Sequence, residues 1–156
     1  MSVKVGDKAP EFTLFSDEKA TVSLKDYEGK NVVLLFFPLA FTGVCTKEMC
    51  NTRDDIAYYQ GLNASVLAVS VDSPFTLEKF KAEQNLNFPL LSDFNKTVSG
   101  EYGALYKEFV LGMSGVSKRS AFVIDKEGIV RYAEVLSNAG ELPNFEAIKE
   151  TLSSLN

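Results

Sequence analysis

Residues Val32 to Phe37 form an unbroken apolar run, Val-Val-Leu-Leu-Phe-Phe, ended by Pro38. A run this short, with β-branched and aromatic residues, reads as a strand covered on both faces. Such a strand needs a sheet with helices packed above and below it, which constrains the chain to an α/β architecture. It is also the longest apolar run in the sequence and far too short to span a bilayer.

The other elements fit around this strand. Phe12-Thr13-Leu14-Phe15 and Thr21-Val22-Ser23-Leu24 flank the polar Ser16-Asp17-Glu18-Lys19, which predicts an N-terminal β-hairpin. After Pro38, Thr42 is placed to cap a helix over about Gly43–Gln60. A second buried strand is expected over Ser65–Val71. Ser73-Pro74 then supplies an N-cap and a first helical position for a helix to about Gln84. A short helix is expected over Lys96–Tyr102, and strands over Arg119–Ile124 and Ile129–Val135 around an Asp-Lys-Glu-Gly turn. Phe145, Ile148, Leu152 and Leu155 recur at helical spacing and predict a C-terminal amphipathic helix. The strand–helix–strand unit implies parallel pairing and the later hairpin adds antiparallel pairing. The expected fold is a thioredoxin-like mixed sheet flanked by helices. Functional residues are expected where the first buried strand hands over to its helix.

The chain has 156 residues, 46% hydrophobic and 24% charged, with no repeat or linker-like stretch. One domain over residues 1–156 is expected, with roughly 70% of the unfolded surface buried. A net charge of −5 and the absence of any Lys/Arg cluster argue against nucleic acid or an anionic membrane as a partner. The N-terminal residues lack the apolar run of a signal peptide, which leads to the expectation of a soluble, cytoplasmic protein. In that reducing compartment, cysteines are more often catalytic or metal-binding than structural.

The sequence contains no His and two Cys. Imidazole bases, Cys–His pairs and His metal ligands are therefore excluded. Two Cys without His cannot fill a tetrahedral zinc shell, and no Cys-x-x-Cys motif is present. Cys45 falls about one turn into the helix expected from Thr42. Unpaired N–H groups and the helix dipole favour an anion there, and with it a thiolate. A buried, inert thiol is the alternative that position alone leaves open.

The surrounding residues resolve this choice through a resemblance. Phe36 to Cys45 contains Pro38-x-x-x-Thr42-x-x-Cys45, the signature of the peroxiredoxin family. Gly6 to Phe12, Phe88 to Asp93 and Arg119 to Asp125 resemble further family blocks, so the likeness covers nearly the whole chain. Phe37 to Gly43 is similar to the alkyl hydroperoxide reductase E branch. Cys45-Thr46-Lys47-Glu48-Met49-Cys50, followed by Arg53-Asp54, is similar to the bacterioferritin comigratory protein or PrxQ branch. Gly43 departs from the Pro that many members carry there.

The resemblance implies a thiol-dependent peroxidase acting on hydrogen peroxide and organic hydroperoxides. Cys45 would be the attacking thiolate, Thr42 and Arg119 hydrogen-bond donors around the peroxide, and Pro38 a hydrophobic shield. Thr42 as an N-cap alone, Pro38 as a strand terminator and Arg119 as a surface residue are the plain alternatives. Lys118 is expected to point away from the site. Glu48 is read either as a carboxylate that holds Arg119 or Arg53 or as a solvated helix residue.

Cys50 lies five residues after Cys45. On a regular helix their Cα atoms are about 8.6 Å apart and rotated by about 140°, too far for a disulfide. The PrxQ-like spacing implies that Cys50 resolves the oxidised Cys45 as a disulfide once the helix start unwinds. Gly43 would ease that step. A one-Cys peroxidase with Cys50 a bystander, and a redox sensor of low turnover, are the alternatives. No cofactor or metal is expected. A thioredoxin or glutaredoxin-like reductant is implied, and a homodimer is expected through segments containing Phe41, Phe75, Phe88 and Phe109.

Overall fold

The computed structural model describes residues 3–156. Seven strands form one sheet: β1 (Thr13–Ser16), β2 (Thr21–Ser23), β3 (Asn31–Phe36), β4 (Ala64–Ser70), β5 (Leu90–Ser92), β6 (Ser120–Ile124) and β7 (Val130–Val135). Their spatial order is β2-β1-β5-β4-β3-β6-β7. The helices are α1 (Gly43–Asp54), α2 (Ile56–Gly61), α3 (Pro74–Gln84), α4 (Thr97–Glu101) and α5 (Phe145–Ser154).

The apolar run is β3, and every residue of it is buried. It pairs parallel with β4 and antiparallel with β6. Its alternation divides the core as a strand period of two requires. Val33 and Leu35, with Phe37 just beyond the strand, pack with Cys45 and Met49 of α1, Leu77 and Phe80 of α3, and Ile148 and Leu152 of α5. Val32, Leu34 and Phe36 pack on the opposite face with Phe12, Val98, Tyr102, Phe122 and Val130. The two faces explain why this segment tolerates no polar position after Asn31.

Local chemistry sets several boundaries as expected. The Thr76 N–H donates to Ser73 Oγ at 3.1 Å, so Ser73 caps α3 with Pro74 in its first turn. Gly128 has φ +85°, the left-handed conformation that closes the β6–β7 turn. The N-terminal hairpin forms as β1 and β2, and β1 also pairs with β5, which joins the hairpin to the main sheet.

One expectation needs correction, and one element was not expected. The stretch Gly43–Gln60 is not one helix: it breaks at Asp55, whose φ and ψ are −99° and 5°. The break redirects the chain so that Tyr59 is fully buried while Asp55 pairs with Lys149 of α5 at 2.9 Å. The segment around Leu90 is a strand, parallel to β4, although its three residues follow Pro89 and show no strand period. Among the described residues, no helix is long and apolar enough to cross a membrane.

Candidate active site

β3 ends at Phe36, and the chain then turns through buried Pro38 into α1. Thr42 is extended (φ −97°, ψ 154°) and occupies the N-cap position. The first helical bond is made by the Thr46 N–H to the Thr42 carbonyl at 2.9 Å. The N–H groups of Gly43, Val44 and Cys45 precede it, so they remain available at the positive end of α1. Cys45, the third helical residue, is only 1% exposed.

Arg119 arrives from the neighbouring strand β6, on the face of the sheet that Cys45 packs against. Phe36 pairs with Ser120 in the antiparallel β3–β6 ladder, so Arg119 lies one step past the end of β3, where Pro38 turns the chain toward α1. Its Nη2 donates to Cys45 Sγ at 3.3 Å. Nη1 donates to Glu48 Oε1 at 2.8 Å. Nε and Nη2 both donate to the Ala139 carbonyl, at 3.1 and 2.9 Å. The guanidinium is 2% exposed and held from three directions. A cation fixed in this way has its charge aimed at the sulfur.

Glu48 lies one turn along α1 from Cys45 and is fully buried, so it is not the solvated carboxylate of the alternative reading. Burial pushes its carboxyl up to about 7, against the opposing pull of Arg119. Desolvation wins because only Oε1 is paired; Oε2 has no hydrogen-bond partner among the described residues. Arg53 turns elsewhere, donating to the Gln84 carbonyl at 2.6 Å and pairing with Asp54. Lys118 leaves the site as expected and lies over the Tyr106 ring.

Thr42 departs from one expectation. Its hydroxyl makes no capping bond and donates instead to the Leu39 carbonyl at 2.7 Å. With its proton committed there, the oxygen is not the donor to peroxide that the resemblance implied and instead offers lone pairs to a donor at the exposed mouth of the site. Cys50, half-buried on the same helix, donates to Gln84 Oε1 at 3.4 Å. Both thiols are free and α1 is continuous between them, which fits the separation expected from helix geometry. Pro38, Thr42, Cys45 and Arg119, the residues expected from the sequence, all lie at one end of the sheet in the structure. Sequence reasoning did not find the Ala139 carbonyl, a backbone group for which no residue type is a signal.

The chemistry available is that of a dry, cationic thiol site at a helix N-terminus. Residues 5–133 match the AhpC/TSA family model. The chain is 37% identical over 156 residues to alkyl hydroperoxide reductase E of Mycobacterium tuberculosis, with 98% of each chain covered. It is 42% identical over 132 residues to a putative peroxiredoxin bcp of Coxiella burnetii, covering 83% of this chain and 87% of that one. Among solved structures, peroxidoxin BcpB of M. tuberculosis superposes with a TM-score of 0.87 at 29% identity, with 99% of each chain covered. The fold is thus the thioredoxin-like fold expected from the sequence, and this chain belongs to the AhpC/TSA family of peroxiredoxins.

Proposed function

We propose that this thiol-dependent peroxidase reduces hydrogen peroxide and organic hydroperoxides through the Cys45 thiolate. The observation that carries this reading is the 3.3 Å contact between Arg119 Nη2 and Cys45 Sγ at the start of α1. The sulfur attacks the terminal peroxide oxygen, an S–O bond forms and the O–O bond breaks. The oxygen that joins sulfur keeps its hydrogen, giving a sulfenic acid, and the departing alkoxide or hydroxide takes up a proton. Arg119 and the free α1 N–H groups stabilise the negative charge as it moves from sulfur to the leaving oxygen. The Thr42 oxygen accepts from the peroxide O–H and orients it, and Pro38 adds no competing donor and keeps water from the sulfur.

Cys50 is the resolving thiol in this reading. The near-complete burial of Cys45 supports that role, because a bulky protein thiol cannot reach its sulfenic acid while α1 is folded. Unwinding of the first turns lets the Cys50 thiol displace hydroxide from the Cys45 sulfur, forming the disulfide and water. A thioredoxin or glutaredoxin-like dithiol then returns two electrons and two protons. The cytoplasm, where such donors are kept reduced, is the compartment that suits this cycle.

A homodimer through the apolar surface near the site completes the proposal. Phe41 and Phe75 are 47% and 70% exposed, which supports such a face, and Phe109 is half-buried. Phe88 must be withdrawn from it, because it is 3% exposed and packs in the core with Leu77 and Phe80. Peroxide consumption with NADPH, thioredoxin reductase and thioredoxin tests the enzymatic reading. Sustained turnover supports it, whereas stoichiometric oxidation without turnover favours a redox sensor.

A further inference from the structure

The loop that carries Thr42 into α1 is fixed from outside the motif. Asp72 follows β4, the strand next to β3. Its Oδ2 accepts the Ala40 N–H at 2.8 Å and the Ser70 hydroxyl at 2.6 Å. The Asp72 N–H in turn donates to Ser70 Oγ at 3.2 Å, and its carbonyl accepts from Ser92 Oγ of β5 at 2.6 Å. Ser70 is fully buried and Ser92 nearly so. Asp72 is therefore tied to β4 through its carboxylate and to β5 through its backbone carbonyl, and the carboxylate holds the active-site loop through a single backbone N–H.

That N–H is well placed to matter. Phe41, the next residue, has φ +67°, a conformation that an aromatic residue adopts only when its surroundings impose it. Thr42 follows and is tied back to the Leu39 carbonyl at 2.7 Å. Ala40 is the point where the tight Leu39–Thr42 turn is joined to the sheet. If it is released, Phe41 can relax to negative φ, which swings the Thr42 side chain while α1 stays packed on the sheet. Cys45 and Arg119 are held independently, by the α1 packing and by Glu48 and Ala139.

We propose that Asp72 is a positioning residue for the peroxidase reaction: it sets the Thr42 turn that orients the peroxide, without touching peroxide or sulfur. This rests on the reading of Cys45 as the peroxide-reactive thiol. The role asks only for a hydrogen-bond acceptor at Oδ2, so Asn, whose amide oxygen accepts equally, should serve in its place.

The test compares two reactions of Cys45 in Asp72→Ala and Asp72→Asn, each built on Cys50→Ser so that Cys45 is the only thiol. Oxidation by hydrogen peroxide needs the Thr42 turn, whereas alkylation by iodoacetamide needs only the thiolate. The expected result for Asp72→Ala is a peroxide rate constant lower by about 10-fold or more, the order of a lost orienting contact, with the alkylation rate and its pH profile unchanged. Asp72→Asn should stay within about three-fold of its parent in both. Where Asp72→Ala proves unfolded by circular dichroism, Ser70→Ala, which removes the hydroxyl steadying the carboxylate, is expected to lower the peroxide rate alone and by less. An unchanged peroxide-to-alkylation ratio in the folded variant of this pair overturns the proposal, as does an equal fall in both reactions. A parent protein that reacts with peroxide no faster than free cysteine would instead sink the underlying peroxidase reading.

Discussion

Arg119 and Cys45 stand 74 positions apart in the chain and meet at 3.3 Å. The contact is a consequence of sheet register. β3 and β6 are antiparallel neighbours, so the residue before β6 falls beside the turn after β3. Arg119 needs its planar fork here, because its three nitrogens reach Cys45, Glu48 and Ala139 at once. A lysine offers one compact charge and cannot span the three. Arg119→Lys is expected to lower the peroxide rate constant by about 10²-fold, the order found when one transition-state donor is removed. Stopped-flow oxidation measures this, and a rate close to wild type would contradict the role.

The buried Glu48 gives the site a stability signature. Its carboxyl is raised from 4.5 to about 7 in the folded protein. Between those values the folded state holds a proton that the unfolded chain has released. Its stabilising contribution is therefore complete below pH 4.5 and is lost as pH rises through about 7. Glu48→Gln removes this titration. Urea unfolding of both proteins from pH 4 to 8 should show wild type losing stability relative to Glu48→Gln as pH rises, and parallel profiles would exclude the assignment.

Thr42 is expected to act through its hydroxyl rather than through capping, since its side chain makes no capping bond among the described residues and donates to the Leu39 carbonyl. Thr42→Val keeps the shape and removes the oxygen; Thr42→Ser keeps the oxygen. The first should slow peroxide oxidation by about 10²-fold and the second by less than about 10-fold. Equal losses in both would point to packing as the cause.

Much of this site is legible in the sequence, for reasons that differ by residue. The run Val32–Phe37 identifies its strand because burial on both faces leaves a one-dimensional trace, and Pro38 marks where it stops. Cys45 is placed by counting from Thr42. Arg119 is different: nothing local distinguishes it from a surface arginine, and only the resemblance of its segment to a family block selected it. The strand Leu90–Ser92 escaped because three residues carry no readable period, and the α1–α2 break escaped because its cause, the burial of Tyr59 and the Asp55–Lys149 pair, is tertiary. Asp72 and the Ala139 carbonyl act through bonds to the backbone that no residue pattern announces.

Resolution by Cys50 requires α1 to open, because both cysteines lie on one continuous helix. Hydrogen exchange read by mass spectrometry should therefore show faster exchange over residues 43–50 in the peroxide-treated protein than in the reduced one. Peroxide-treated Cys50→Ser should retain more protection there, since no disulfide holds the turn open. Unchanged protection in a wild-type protein that has formed the disulfide would rule out unwinding.

The most direct measurement is intact mass with free-thiol counting after one equivalent of hydrogen peroxide, on wild type and Cys50→Ser. Wild type is expected to lose two hydrogens and both free thiols, and Cys50→Ser to gain one oxygen on Cys45. A wild-type protein that keeps Cys50 free and carries a stable added oxygen would mean a one-Cys peroxidase. Absence of any mass change in both proteins would contradict Cys45 as the peroxide-reactive thiol.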